Sequence, residues 1–175
     1  IFLPPAFGLT KTRELTKSFN KPLFGAIIKP KTGINKETLL DMIKKLIDGG
    51  VDFIKEDEIL SNPSFCSLDD RVPFISNYLD KNNIKIIYTF SITGDHDVVL
   101  KRAKLVHQEG GNGIHVNLWA GLGVYKAIRK LNLPLFIHFQ KSGDKVITNE
   151  SHNFSIDWAV ICKLAAISGV DSIHV

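Results

Sequence analysis

Cysteine is scarce in this sequence: only Cys66 and Cys162 occur, far apart and outside any C-x-x-C spacing. That usage argues against a disulfide framework and for a reduced, cytoplasmic compartment, with both thiols structural. Long apolar runs are also missing. None approaches the roughly 18 residues of a membrane span, and no signal peptide precedes the first apolar segment, so no membrane partner is expected. Blocks of like charge are absent. The formal charge is +4, and the basic residues are spread singly or in pairs, as in MIKKLI and VLKRAK. Such spacing describes solvated helix faces, and nucleic acid is not an expected partner. No GxGxxG or P-loop pattern opens a helix after the first apolar run, which counts against a nucleotide-binding sheet. What remains is a chain of 175 residues, 44% hydrophobic and 23% charged. Those figures suit one sizeable core in a soluble globular protein.

Six short runs rich in β-branched residues recur: PLFGAIIK (22–29), VDFIK (51–55), IKIIYTFSI (84–92), NGIHVNL (112–118), LPLFIHFQ (133–140) and DSIHV (171–175). Most are nearly continuous in apolar residues, as expected of strands covered on both faces. Between them lie stretches of helical period. In KETLLDMIKKLIDGG, Leu39, Leu40, Ile43, Leu46 and Ile47 share one face, and Gly49 and Gly50 end the helix. HDVVLKRAKLVHQEGG and SIDWAVICKLAAISG repeat the design. SLDDRVPFISNYLDKNN also reads as helix, with Ser67 as N-cap and Pro73 interrupting it or setting its first full turn. The joints DGGVDFIK, EGGNGIHV and SGVDSIHV resemble one another, which marks repeated βα units. An open doubly wound sheet and a (β/α)8 barrel both fit parallel strands with helical crossovers. Six units in this length extrapolate to eight in roughly 250 residues, the usual barrel size. The barrel is the expected fold, with the first five to six βα units present. The chain opens at Ile1 without a methionine and stops inside an apolar run, so a larger protein cut at both ends is expected.

In such a barrel the chemistry sits at the carboxyl ends of the strands. Those ends carry Lys29 and Lys31 (IIKPKTG), Lys55, Asp57 and Glu58 (FIKEDE), His115 and Asn117 (IHVNL), His138 (FIHFQ) and His174 (SIHV). Each has a structural alternative. Lys29 and Lys31 suit a solvated loop, Lys55 with its acids suits an ion-pair cluster, and each histidine suits a hydrogen-bonded packing role. Trp119 and Trp158 read as packing residues. The convergence of several strands on one end is the functional signal.

Taken together, IIKPKTG, then GGVDFIKEDE, then strands holding His138 and SIH, resemble the large-subunit family of ribulose-bisphosphate carboxylase (RuBisCO). The upstream PPAFGLTKTRELTKSFNKPLFG resembles the lead into that family's catalytic barrel. The resemblance implies a lead-in over residues 1–21 and a partial barrel domain over 22–175. It places an N-terminal domain, the remaining barrel units and a lysine-bearing closing loop outside this sequence. It further implies that Lys55 reacts with carbon dioxide to form a carbamate, which binds Mg2+ together with Asp57 and Glu58. A lysine is thereby replaced by an anion, and three hard oxygen donors suit an octahedral cation. Asp57 lies two residues from Lys55, on the same side of an extended chain, and Glu58 joins only if the backbone turns. By the same resemblance Lys29 is an acid/base, Lys31 a supporting charge, and both depress the pKa of Lys55 by repulsion. His138 would lie near substrate and His174 at a phosphate or polar-tail subsite.

Departures from the carboxylase pattern move the expectation. The arginine that follows the family's strand histidine, and grips one phosphate of a bisphosphate, is Phe139 here. A further histidine is replaced within Gln140, Lys141 and Ser142. A threonine before the first lysine is Ile27, the asparagine of Y-x-N-x-T is Phe90, and an aspartate after His115 is Val116. This profile is similar to the RuBisCO-like proteins, which do not fix carbon dioxide. The expected function is a Mg2+-dependent enolase or isomerase, of methionine-salvage or sugar-acid type. It would abstract a proton beside a carbonyl of a phosphorylated or acidic keto-sugar. The alternatives are a divergent bisphosphate carboxylase and a non-catalytic binding protein with a vestigial site. A homodimer is implied by the resemblance. The segment alone is expected to be inactive and marginally stable.

Overall fold

Six parallel strands in strictly sequential order organise the molecule. The computed structural model describes residues 2–174. The strands are β1 (Gly25–Ile27), β2 (Phe53–Lys55), β3 (Ile87–Ser91), β4 (Gly113–Asn117), β5 (Phe136–Gln140) and β6 (Ser172–Ile173), each bonded to the next in one sheet. Every pairing is parallel. A doubly wound sheet reverses its strand order at a switch point, and this one does not. It also curls. Phe53 on β2 and Phe136 on β5 are three strands apart, which a flat sheet would separate by roughly 14 Å. Their ring centroids lie 5.9 Å apart. The sheet is therefore the wall of a (β/α)8 barrel open on one side.

The helices follow the strands around that wall: α1 (Gly8–Thr16), α2 (Lys36–Asp48), α3 (Leu68–Lys81), α4 (His96–Gln108), α5 (Leu122–Arg129), the single turn α6 (Lys145–Thr148) and α7 (Trp158–Ile167). Successive crossover helices α2, α3, α4, α5 and α7 touch in turn, in the order of their strands. α2 begins where Asn35 accepts a hydrogen bond from the Thr38 amide at 2.8 Å and buries Leu39, Leu40 and Ile43. α3 starts at the Ser67 cap and runs on to Lys81, so Pro73 does not interrupt it. The repeated joints share one feature. Gly50, Gly110 and Gly169 all adopt left-handed backbone, with φ of +81°, +79° and +91°. A side chain there is strained, so each joint needs its glycine.

The strands are shorter than the apolar runs that contain them. Of residues 22–29 only Gly25–Ile27 pair, and Leu23, Phe24 and Ile27 are exposed. β1 and β6 are the two edges of the sheet, with a neighbour on one side only. The run 171–175 yields Ser172–Ile173, and Val175 lies outside the described residues. α1 was not expected at all. Its buried residues are Thr12 and Thr16, so no apolar period announces it. Asp171 pins its start across the barrel floor, accepting from the amides of Phe7 (2.7 Å) and Gly8 (2.9 Å). The same carboxylate accepts from the Ile137 amide (2.8 Å) and pairs with Arg129. Among the described residues no helix is long and apolar enough to cross a membrane.

Candidate active site at the strand ends

Period-2 alternation at the end of β2 sends consecutive charges to opposite sides of the wall. Lys55, Glu56 and Asp57 are all buried, at 1%, 0% and 1% exposure. Glu56 turns outward toward α3. It accepts from Arg71 Nε at 2.9 Å and Nη2 at 3.0 Å, from the Tyr88 hydroxyl at 3.1 Å and from the Ser91 amide at 2.7 Å. Both oxygens are fully engaged, so Glu56 holds helix to sheet. Lys55 turns inward and lines a hollow of about 270 Å³ with Ile27, Phe53, His138, Ile173 and His174.

The chain turns after β2, with the Leu60 amide bonded to the Asp57 carbonyl at 3.1 Å. That turn brings Glu58 back, and its Oε2 lies 3.2 Å from Lys55 Nζ. Asp57 pairs with Lys29, and Lys31 Nζ lies 4.0 Å from its other oxygen. Burial lowers the pKa of Lys55, Glu58 and Asp57 oppose that shift, and repulsion from Lys29 is the smallest contribution. Lys29 therefore depresses Lys55 as expected, but removal from water does most of it, and Lys31 does not contribute because it faces Asp57. Lys29 moves the opposite way, raised chiefly by its hydrogen bond to Asp57. Desolvation alone would raise Glu58. The Ser142 hydroxyl and the Lys55 charge outweigh it and hold the carboxyl at about 2.

The histidines occupy the same interior. His115 and His138 are paired across β4 and β5, with ring centroids 6.4 Å apart, and His174 stands 6.2 Å from His138. His138 Nδ1 meets Ser172 Oγ at 2.7 Å. Burial, then the Lys55 charge, pushes His138 down to about 3 and His115 well below its ordinary range. Both nitrogens of His115 and Nε2 of His138 are buried with no hydrogen-bond partner among the described residues. His115 is fully buried beside His138, and the Glu56 backbone only partly offsets the downward shift of its pKa. Phe139 points the other way, fully buried against Tyr125 and Trp158 in the helix layer. Trp158 packs as expected. Trp119 is 54% exposed, and its indole lies where a side chain on Gly143 would stand.

Two residues that the sequence marks only as departures from the carboxylase pattern, Gln140 and Ser142, complete the arrangement. Ser142 Oγ donates to Glu58 Oε1 at 2.7 Å, and Gln140 Nε2 donates to Ser142 Oγ at 2.7 Å. Gln140 Oε1 meets His174 Nδ1 at 2.9 Å. Gln140 could have been flagged, because it follows Phe139 and so faces inward by alternation. Ser142 lies in a loop and carries no periodic signal.

Among the described residues no three His, Cys, Asp or Glu side chains gather to hold an ion. The donor set is nonetheless suited to one. Two carboxylates, Asp57 and Glu58, act electrostatically on a single buried amine, that of Lys55. Carboxylation of that amine would supply the third oxygen donor. Hard oxygen donors of this kind suit Mg2+.

A curled parallel wall with a buried lysine, two carboxylates and histidines at its carboxyl edge defines a (β/α)8-barrel protein with a polar pocket at the strand ends. Residues 8–175 match the family described as ribulose bisphosphate carboxylase large chain, catalytic domain, and the chain belongs to that family. It is 34% identical to an uncharacterized ribulose bisphosphate carboxylase-like protein of Bordetella bronchiseptica, over 98% of this chain and 41% of that protein. It is 33% identical to a 3-oxo-isoapionate-4-phosphate transcarboxylase/hydrolase of Xanthobacter autotrophicus, over 99% of this chain and 43% of the relative. The crystal structure of a rubisco-like protein from Burkholderia fungorum superposes with a TM-score of 0.86 at 29% identity, covering 97% of this chain and 43% of that one. The chain thus spans about two fifths of the relatives it matches.

Proposed function

We propose that this chain carries the cation-holding half of a RuBisCO-like enzyme that enolises a keto-sugar acid or its monophosphate. The observation that carries the reading is Lys55: an amine at 1% exposure whose charged form burial disfavours, with Glu58 at 3.2 Å and Asp57 beside it. A neutral amine is the form that captures carbon dioxide. Lys55 as carbamate, Asp57 and Glu58 would hold Mg2+. Bound there, the cation supplies stabilisation for negative charge developing on a substrate carbonyl oxygen.

The chain's own residues then divide the work. Asp57 has two oxygens, so a cation held there would share the carboxylate with Lys29 and weaken the pairing that raises the Lys29 pKa. Lys29 then moves a proton at the carbon beside the carbonyl, with Lys31 a fixed positive charge next to it. His138, anchored by Ser172, lines the same hollow, and its Nε2 is buried without a hydrogen-bond partner among the described residues. With Phe139 turned into the helix layer, the strand offers no cationic fork for a second phosphate. The Xanthobacter relative is named for a substrate with one keto group, one carboxylate and one phosphate. That supports a monophosphorylated acid. It also favours a second reading, cleavage next to the carbonyl of a 3-oxo acid, which passes through the same kind of enolate. The dimer implied by the resemblance, and the barrel limits at residues 22–175, belong to the same proposal.

The test uses the full-length protein. With 13C-bicarbonate and Mg2+, a carbamate carbon signal and saturable metal uptake are expected, both absent in Lys55→Met. Metal uptake that ignores Lys55 would favour a non-catalytic relative with a vestigial site. Acid-stable label from bicarbonate at turnover rates with ribulose bisphosphate would replace the proposal with a true carboxylase.

A further inference from the structure

A hydrogen-bonded chain runs from Glu58 on the β2 side of the hollow to His174 beyond β6, through Ser142 and Gln140. Its direction is fixed by which atoms can donate and which can only accept. A carboxylate only accepts, so the Ser142 hydroxyl must spend its single proton on Glu58. The Ser142 oxygen then needs a donor, and only the amide NH2 of Gln140 can provide it. That orientation turns Gln140 Oε1 toward His174, and a carbonyl oxygen only accepts. The proton between them therefore belongs to His174 Nδ1, and the other nitrogen of a neutral imidazole is left with a lone pair.

The chain is also held in place. The Ser142 carbonyl accepts from Asn117 Nδ2 at 3.3 Å, and Gly143 lies under the Trp119 indole with φ of +85°. His174 lines the hollow beside Lys55 and His138, and Nε2 has no hydrogen-bond partner among the described residues.

We propose that His174 presents an unprotonated Nε2 to the pocket, so that this subsite takes a hydroxyl-bearing end of the substrate and not a phosphate. Gln140 and Ser142 are the positioning residues that set this tautomer. A phosphate dianion has only acceptors to offer a bare nitrogen, whereas a hydroxyl donates to it. Burial and the charges of Lys55 and Lys141 lower the pKa of His174, which keeps the ring neutral at physiological pH. The inference rests on the strand ends being the substrate site but needs neither carbamate nor metal.

Multiple-bond 1H–15N correlation on full-length protein labelled with 15N-histidine, free of carbon dioxide and divalent metal, reads the tautomer directly. His174→Asn supplies the assignment. The expected spectrum has the His174 proton on Nδ1. Gln140→Leu moves it to Nε2, and Gln140→Glu, which still accepts from Nδ1, keeps it. An Nε2–H tautomer in the wild-type protein, or no change in Gln140→Leu, would overturn the assignment. So would a saturable shift of His174 to the doubly protonated ring on titration with millimolar inorganic phosphate; no response is expected. Loss of the Lys55-dependent carbamate signal tests the reading of the metal site separately, so the two failures are distinguishable.

Discussion

Glu56 and Glu58 stand two residues apart at the end of one strand, and their surroundings could hardly differ more. Glu56 faces the helices and is fully occupied by Arg71, Tyr88 and the Ser91 amide. Arg71 in turn also donates to the carbonyls of Cys66 at 2.6 Å and Ser61 at 2.5 Å. Nothing in that cluster is left over for a ligand. Glu58 faces the barrel mouth, a fifth exposed in its side chain, and shares its oxygens between Lys55 and Ser142. A closed buried network specifies structure, whereas an open one at a strand end can exchange partners. The turn after β2, not strand alternation, thus divides these two acids between scaffold and site, because i and i+2 on an extended strand would share one face.

The sharpest way to break this contrast is to remove one partner on the closed side. Arg71→Met leaves Glu56 as an uncompensated buried charge and should cost about 3–5 kcal/mol of stability in denaturant titration. Glu56→Leu combined with Arg71→Met should recover much of that loss. A smaller, graded effect comes from acid. The folded-state values of His138 (about 3) and His115 lie below the ordinary histidine value. Their neutral forms contribute stability that is fully present above about pH 6.5 and is lost as pH falls toward 3, up to about 1.4 kcal/mol per pH unit for each. His138→Gln should flatten that acid limb, which unfolding midpoints between neutral pH and about pH 4 will show.

On the open side, Lys55→Met should leave stability within about 1 kcal/mol of wild type, because it removes a desolvated amine while Glu58 keeps Ser142 and solvent and so is not left an uncompensated buried charge. It should also abolish bicarbonate-dependent Mg2+ uptake measured by calorimetry. A large destabilisation instead would make Lys55 a structural ion-pair member like Arg71. Ser142→Ala should have the smallest effect on folding, about 1 kcal/mol for one lost hydrogen bond. It should weaken the same Mg2+ uptake about tenfold by loosening Glu58.

Much of the architecture is legible along the chain. Each of the six apolar runs contains a strand, and the four periodic segments are helices, because burial on both faces of a parallel sheet and on one face of a helix leaves a direct imprint on residue order. α1 escapes because threonines, not aliphatic residues, make its buried face. α5 is only eight residues long, too short to stand out by period. The lysine, acid and histidine positions at the strand ends could be listed from alternation and motif. Their partners could not. Ser142 meets Glu58 from 84 residues away, and only the curl of the sheet brings the two sides of the mouth within hydrogen-bond reach.

Residue order alone determined the βα repeat, the inward or outward facing of each strand residue and the family to which the chain belongs, since these are local or nearly local properties. The folded wall decided the rest. It took Lys55 out of water, gave Glu56 to Arg71 and gave His174 to Gln140, because pKa shifts and hydrogen-bond direction depend on which distant groups the curvature brings together.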